Sequence, residues 1–101
     1  MPTRRYEILF PVGDPQNLVL VAEAVAEAIE IAGGGTWEQQ AIRGYWIQGE
    51  ELVVDEHTRF LIDLPDTEFF EDWIAGYQER WETRLNEAEL YIISYPIQRT
   101  K

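Results

Sequence analysis

Cysteine is absent from this chain, which removes disulfides, thiolate metal sites and thiol nucleophiles together. Histidine and serine occur once each, as His57 and Ser94. Ser94 has no base partner evident by spacing, and a metal at His57 would lack its third and fourth ligands. No GxGxxG, P-loop or GxSxG pattern is present, so no cofactor is expected. Basic residues are scarce too. Arg4, Arg5, Arg99 and Lys101 lie at the ends, so residues 6–98 hold four basic side chains against nineteen acidic ones, a balance of −15. Such a body repels phosphate backbones and anionic lipid, so neither nucleic acid nor membrane is an expected partner. Long apolar runs are also missing. The stretch from Leu18 to Ala32 is broken by Glu23, Glu27 and Glu30 and cannot span a membrane. No apolar segment follows Arg4-Arg5, so a signal peptide is not expected and the chain reads as cytoplasmic.

What is present describes one small folded unit. The 101 residues suit a single domain over 1–101, and 46% hydrophobic residues are too many for a disordered chain. Residues 5–12 alternate as a strand, with Tyr6, Ile8 and Phe10 on one face. Gly13-Asp14-Pro15 opens a helix, with Asp14 as cap and Pro15 at its first position. Leu18, Val21, Ala22, Val25, Ala28, Ile29 and Ala32 form its predicted buried stripe, and Gly33 ends it. Residues 36–47 form a second strand, with a bend predicted at Gly44. Gln48-Gly49 turns the chain into residues 51–64, which read as one long bent strand or two short ones interrupted at Asp55-Glu56-His57. A second helix starts at Asp66 or Thr67, buries Phe70, Trp73, Ile74, Tyr77, Trp81 and Leu85, and stops at Asn86. Trp73, Tyr77 and Trp81 recur every four residues and read as core. Residues 89–97 form the last strand, with Leu90 and Ile92 on one side and Tyr91, Ile93 and Tyr95 on the other.

The order β-α-β-β-α-β resembles the ferredoxin-like α+β superfamily, in which two helices cover one face of an antiparallel sheet and leave the other open. Right-handed connections would gather Arg4, Arg5, Arg99 and Lys101 near the Gly33–Gly35 loop. That loop follows a helix instead of preceding one, so no helix N-terminus is offered to a phosphate.

Two constellations are candidates for function. Asp55 and His57 share a face of extended chain, where the carboxylate could orient the imidazole as a general base; the alternative is a solvated polar bulge. Tyr45, Trp46, Tyr91 and Tyr95 are candidates for an aromatic patch on the open sheet face. They would serve core packing, self-association or a small-molecule pocket, with register deciding each assignment. Arg43-Gly44-Tyr45 matches only the first three residues of an RNA-recognition motif, and Trp46-Ile47-Gln48 does not continue it.

The pattern Gly34-Gly35-Thr36, Gly44-Tyr45-Trp46, Gly49 and Glu56 before a strand is similar to a small bacterial domain family of unknown function. In plan the chain resembles the dimeric α+β barrel proteins, some of which are enzymes acting on small organic molecules. The resemblance implies a fold and no particular activity. The resulting expectation is a non-catalytic binding or regulatory domain, a homodimer joined through its open sheet face, with a protein as a further possible partner. A small enzyme using His57 or a tyrosine is the alternative, and an acidic mimic of nucleic acid is the third reading.

Overall fold

The structure, a computed structural model, describes residues 2–100. Its elements are β1 (Thr3–Pro11), α1 (Asn17–Ala32), β2 (Thr36–Gln48), β3 (Glu51–Pro65), α2 (Glu68–Leu85) and β4 (Tyr91–Ile97). All pairings are antiparallel, in the order β2-β3-β1-β4. Both helices lie on one face, so the fold is ferredoxin-like.

The core follows the alternation of the strands. Tyr6, Ile8 and Phe10 of β1, Phe60, Ile62 and Leu64 of β3, and Leu90 just ahead of β4 are buried against the helices. From α2 come Ile74, Tyr77, Trp81 and Leu85. The buried face of α1 is narrower than predicted and turned slightly: Val21, Ala24, Val25 and Ala28 are buried, while Leu18, Ala22 and Ile29 are exposed. The turn brings α1 against α2, where the Tyr77 hydroxyl donates to the Ala24 carbonyl at 2.6 Å. Burial pushes that phenol far above its usual pKa, so it stays a donor. On the outer side Arg80 holds Glu27 through two bonds of 3.0 and 2.7 Å, and Arg84 reaches Glu23 at 2.7 Å.

The helix ends show the local chemistry at work. Asp14 accepts from the Gln16 N–H at 3.0 Å, and the Asn17 and Leu18 N–H groups reach back three residues. One tight turn therefore separates the Asp14 cap from the regular helix, which begins at Asn17. Gly33 (φ 80°) and Asn86 (φ 55°) close the two helices in the left-handed conformation. Thr67 caps α2 by accepting from the Phe70 N–H.

β2 and β3 run well past the rest of the sheet. Pairing of β1 with β3 ends at Pro11 opposite His57, and one more bond joins the Val12 N–H to the Glu56 carbonyl. Beyond this the two strands continue as a free-standing hairpin arm, from Ile42 opposite His57 to Gln48 opposite Glu51. Of the two readings of residues 51–64 the structure has the single long strand, because cross-strand partners on β2 keep β3 continuous through Asp55-Glu56-His57. The irregularity of β2 lies between Glu38 and Ile42, and Gly44 sits in register opposite Asp55. Gly44 is therefore no bend.

Candidate functional site

The open sheet face is defined by the residues that alternate with the core. On β1 these are Arg5, Glu7 and Leu9; on β3, Arg59, Leu61 and Asp63; on β4, Tyr91, Ile93 and Tyr95. Its charges are matched within the face. Arg5 grips Asp63 through bonds of 2.8 and 3.0 Å, and this guanidinium holds the carboxyl below its usual range. Arg59 lies between Glu38 at 3.0 Å and Glu7 at 3.6 Å. The Tyr95 hydroxyl donates to Glu7 at 2.7 Å, a bond to a carboxylate that raises the phenol's pKa. Tyr91, Ile93 and Tyr95 stand exposed beside this network in a row along the edge strand.

A second cluster forms where the arm leaves the body. Trp46 lies across Gly44, so a Cβ there would stand 2.6 Å from the far edge of the indole. The absence of a side chain at Gly44 lets the ring fold onto the strand, a cover of glycine by an aromatic neighbour. The indole N–H donates to Asp55 Oδ2 at 2.9 Å. The ring also meets His57 edge-on, with centroids 5.6 Å apart. His57 is only 8% exposed as a result, and its Nδ1 has no hydrogen-bond partner. Burial lowers the His57 pKa and the Asp55 charge opposes this, so the ring is neutral at pH 7. Glu87, in the turn after α2, is pushed up by burial and by the charge of Asp55.

These contacts revise the acid–histidine reading. Asp55 spends an oxygen on Trp46, and the imidazole Nδ1 is left without a carboxylate to orient it. Nor does the segment bulge: it runs in register within β3, with Asp55 and Glu56 exposed and His57 buried. Among the described residues no group of three or more His, Asp or Glu could hold a metal ion.

The four aromatic candidates do not make one patch. Tyr91 and Tyr95 lie on the open face at the β4 edge. Trp46 shares that side of the sheet but sits on the arm at the opposite edge. Tyr45, one residue earlier, faces the other way, opposite Val54 on the side that the helices cover in the body. The terminal arginines also divide by parity. Arg5 and Arg99 line a cleft of about 280 Å³ with Gly33, Gly34, Gly35 and Thr36. Arg4 lies on the helix side, bonded to Asp66 and Ser94, and Lys101 is outside the described residues. Gly35 is required there: a Cβ would meet the Phe60 ring at 2.7 and 2.8 Å and the Leu61 carbonyl at 3.0 Å.

The sequence reading missed the Glu7–Arg59–Glu38 network and the approach of Glu87 to Asp55. Glu7 carried a signal, being a carboxylate alternating with Tyr6 and Ile8 on a central strand. Glu87 carried none, because its neighbours come from residues some thirty positions away in sequence.

No protein-family model matches the chain, and no curated protein does. Solved structures do match. The divalent cation tolerance protein CutA1 from Thermus thermophilus is 18% identical, with a TM-score of 0.67 over 98% of this chain and 87% of that one. CutA1 from Oryza sativa is 14% identical, with a TM-score of 0.66 over 100% of this chain and 84% of that one. GlnK from B. subtilis, in a complex with ATP, is 15% identical, with a TM-score of 0.58 over 95% of this chain and 82% of that one. At such identities the likeness is one of fold: this chain is a ferredoxin-like α+β domain that shares its architecture with CutA1 and GlnK.

Proposed function

We propose that this chain is a non-catalytic binding or regulatory domain that works as one unit and self-associates through its open sheet face. The observation that carries the reading is the contrast between that face and the rest of the molecule. In a chain of net charge −11, two copies repel each other over most of their surface. On the open face Arg5 and Arg59 are met by Asp63, Glu7 and Glu38, and the row Tyr91, Ile93 and Tyr95 is exposed beside them. An uncovered sheet face with apolar residues on an edge strand is a surface that needs a partner. A second copy of the chain is the partner proposed for it. The GlnK likeness supports the binding half of the proposal, since that protein of the same fold is complexed with ATP.

The enzyme alternative draws less support. His57 is covered and unoriented, and the clefts beside Ser94, beside Gly33–Gly35 and beside Trp37 do not include it. No helix among the described residues is long and apolar enough to cross a membrane. A cytoplasmic location is part of the proposal and rests on the acidic, cysteine-free composition.

Sedimentation tests the proposal. At about 100 μM the chain is expected to run as a dimer or larger species, because interfaces of standard size hold well below that concentration. Ile93→Lys is expected to release monomers while leaving the fold unchanged by circular dichroism. A wild-type monomer at that concentration overturns the reading.

A further inference from the structure

The arm carries an anomaly of its own. On its reverse side, continuous with the face that α1 and α2 cover in the body, three cross-strand rows follow one another. Arg43 stands opposite Glu56, Tyr45 opposite Val54, and Ile47 opposite Leu52. Neither α1 nor α2 covers them. Ile47 is 72% exposed, Leu52 61% and Tyr45 59%. A hairpin of two strands in water is marginal without something packed on its apolar side. The tip stands about 20 Å beyond His57, six residues of extended chain, so it reaches past its own body.

The two sides of the arm differ in charge. The front presents Asp55 and Glu51 with no basic partner in register, whereas the reverse is balanced by Arg43 and Glu56. An arm approaching another copy of this acidic chain meets least repulsion with its reverse side. The surface of that copy with matched charges and uncovered apolar side chains is the open sheet face. The two surfaces point to opposite sides of one sheet, so a chain cannot join its own pair.

We propose that Tyr45, Ile47, Leu52 and Val54 on the reverse of the arm seat on the open sheet face of a second copy of this chain, against the second copy's Tyr91, Ile93 and Tyr95. The inference rests on the proposed self-association and adds its geometry: the contact is heterologous, arm to face, and not face to face. Two apolar surfaces that are each incomplete alone cover one another, and the arm gains the packing layer that the helices give the rest of the sheet.

The lack of native cysteine makes the test direct. Ile47→Cys and Ile93→Cys are prepared as separate single variants, one isotope-labelled, mixed, and treated with a short thiol–thiol crosslinker. Mass spectrometry is expected to find 47–93 links in the mixture and few links in either variant alone. Leu52→Cys with Tyr91→Cys repeats the test should the first pair fold poorly. Links of 93–93 alone would overturn arm docking and leave face-to-face association standing. Links of 47–47 alone, or none while sedimentation shows an oligomer, would also overturn it. A monomer overturns this inference and the underlying one together. Ile47→Ser combined with Leu52→Ser is expected to raise the dissociation constant about tenfold or more, from the apolar surface no longer buried. An unchanged constant would place the arm outside the interface.

Discussion

Replacing Gly44 by alanine tests the local reading of the arm most sharply. The new methyl would stand 2.6 Å from the far edge of the Trp46 indole and 3.1 and 3.2 Å from its neighbouring atoms. Forcing extra volume into a packed site costs about 1–3 kcal/mol. Here the cost falls at the low end, because the obstacle is the outer rim of a ring that is 40% exposed and free to swing toward solvent. Swinging out breaks the hydrogen bond from Trp46 to Asp55, worth about 0.5–1.5 kcal/mol. Alanine in place of glycine at an ordinary backbone angle returns about 0.4–1 kcal/mol through the unfolded chain. The balance is a destabilisation of about 1 kcal/mol, read as a lower urea midpoint. A second readout is more decisive. Trp46 is the cover on His57, so losing it rehydrates the imidazole, and the depressed pKa should rise toward the ordinary value of about 6.5. With one histidine in the chain, a single proton NMR titration reports it. If neither the midpoint nor the histidine pKa moves, Trp46 does not lie across Gly44 and the account of this corner fails.

Gly35→Ala should cost more than Gly44→Ala, about 1–3 kcal/mol with no compensating movement. Its methyl meets a buried ring and a backbone carbonyl instead of a free rim, and equal urea midpoints for the two variants would contradict this. Tyr77→Phe should lose about 1 kcal/mol, the net worth of one buried hydrogen bond, with no change in secondary structure by circular dichroism. pH separates His57 from Glu87. The His57 pKa is lowered on folding, so its contribution is full above about 6.5 and is lost as pH falls through the folded value. The Glu87 pKa is raised, so its contribution is full below the usual carboxylate range and is lost as pH rises through the folded value. His57→Leu should therefore flatten the loss of stability on acidification from pH 7 to 5 and leave the opposing share of Glu87 in place. Parallel curves for wild type and variant would show that the imidazole is not buried as described.

Much of this architecture is written locally and is legible in the sequence. Alternation of Tyr6, Ile8 and Phe10, the four-residue spacing of Tyr77 and Trp81, and the stops at Gly33 and Asn86 depend on neighbours within a few positions. They determine element type, order and the buried sides, and from them the ferredoxin-like plan. Whatever depends on which strands meet and in what register is set only when the chain folds. A shift of one residue moves a side chain to the opposite face, so Tyr45 parts from Trp46 although the two are adjacent in sequence. Gly44, read locally as a breaker, is a seat for an indole two residues away, because in a paired strand residues i and i+2 share a side. Asp55 and His57 share a face as their spacing implies, yet Trp46 takes the carboxylate and covers the ring. The projection of the arm could not be read at all: residues 51–64 are readable as one strand or two, the point where β1 stops pairing depends on contacts between residues 11 and 57, and that endpoint leaves Ile47 and Leu52 without a cover.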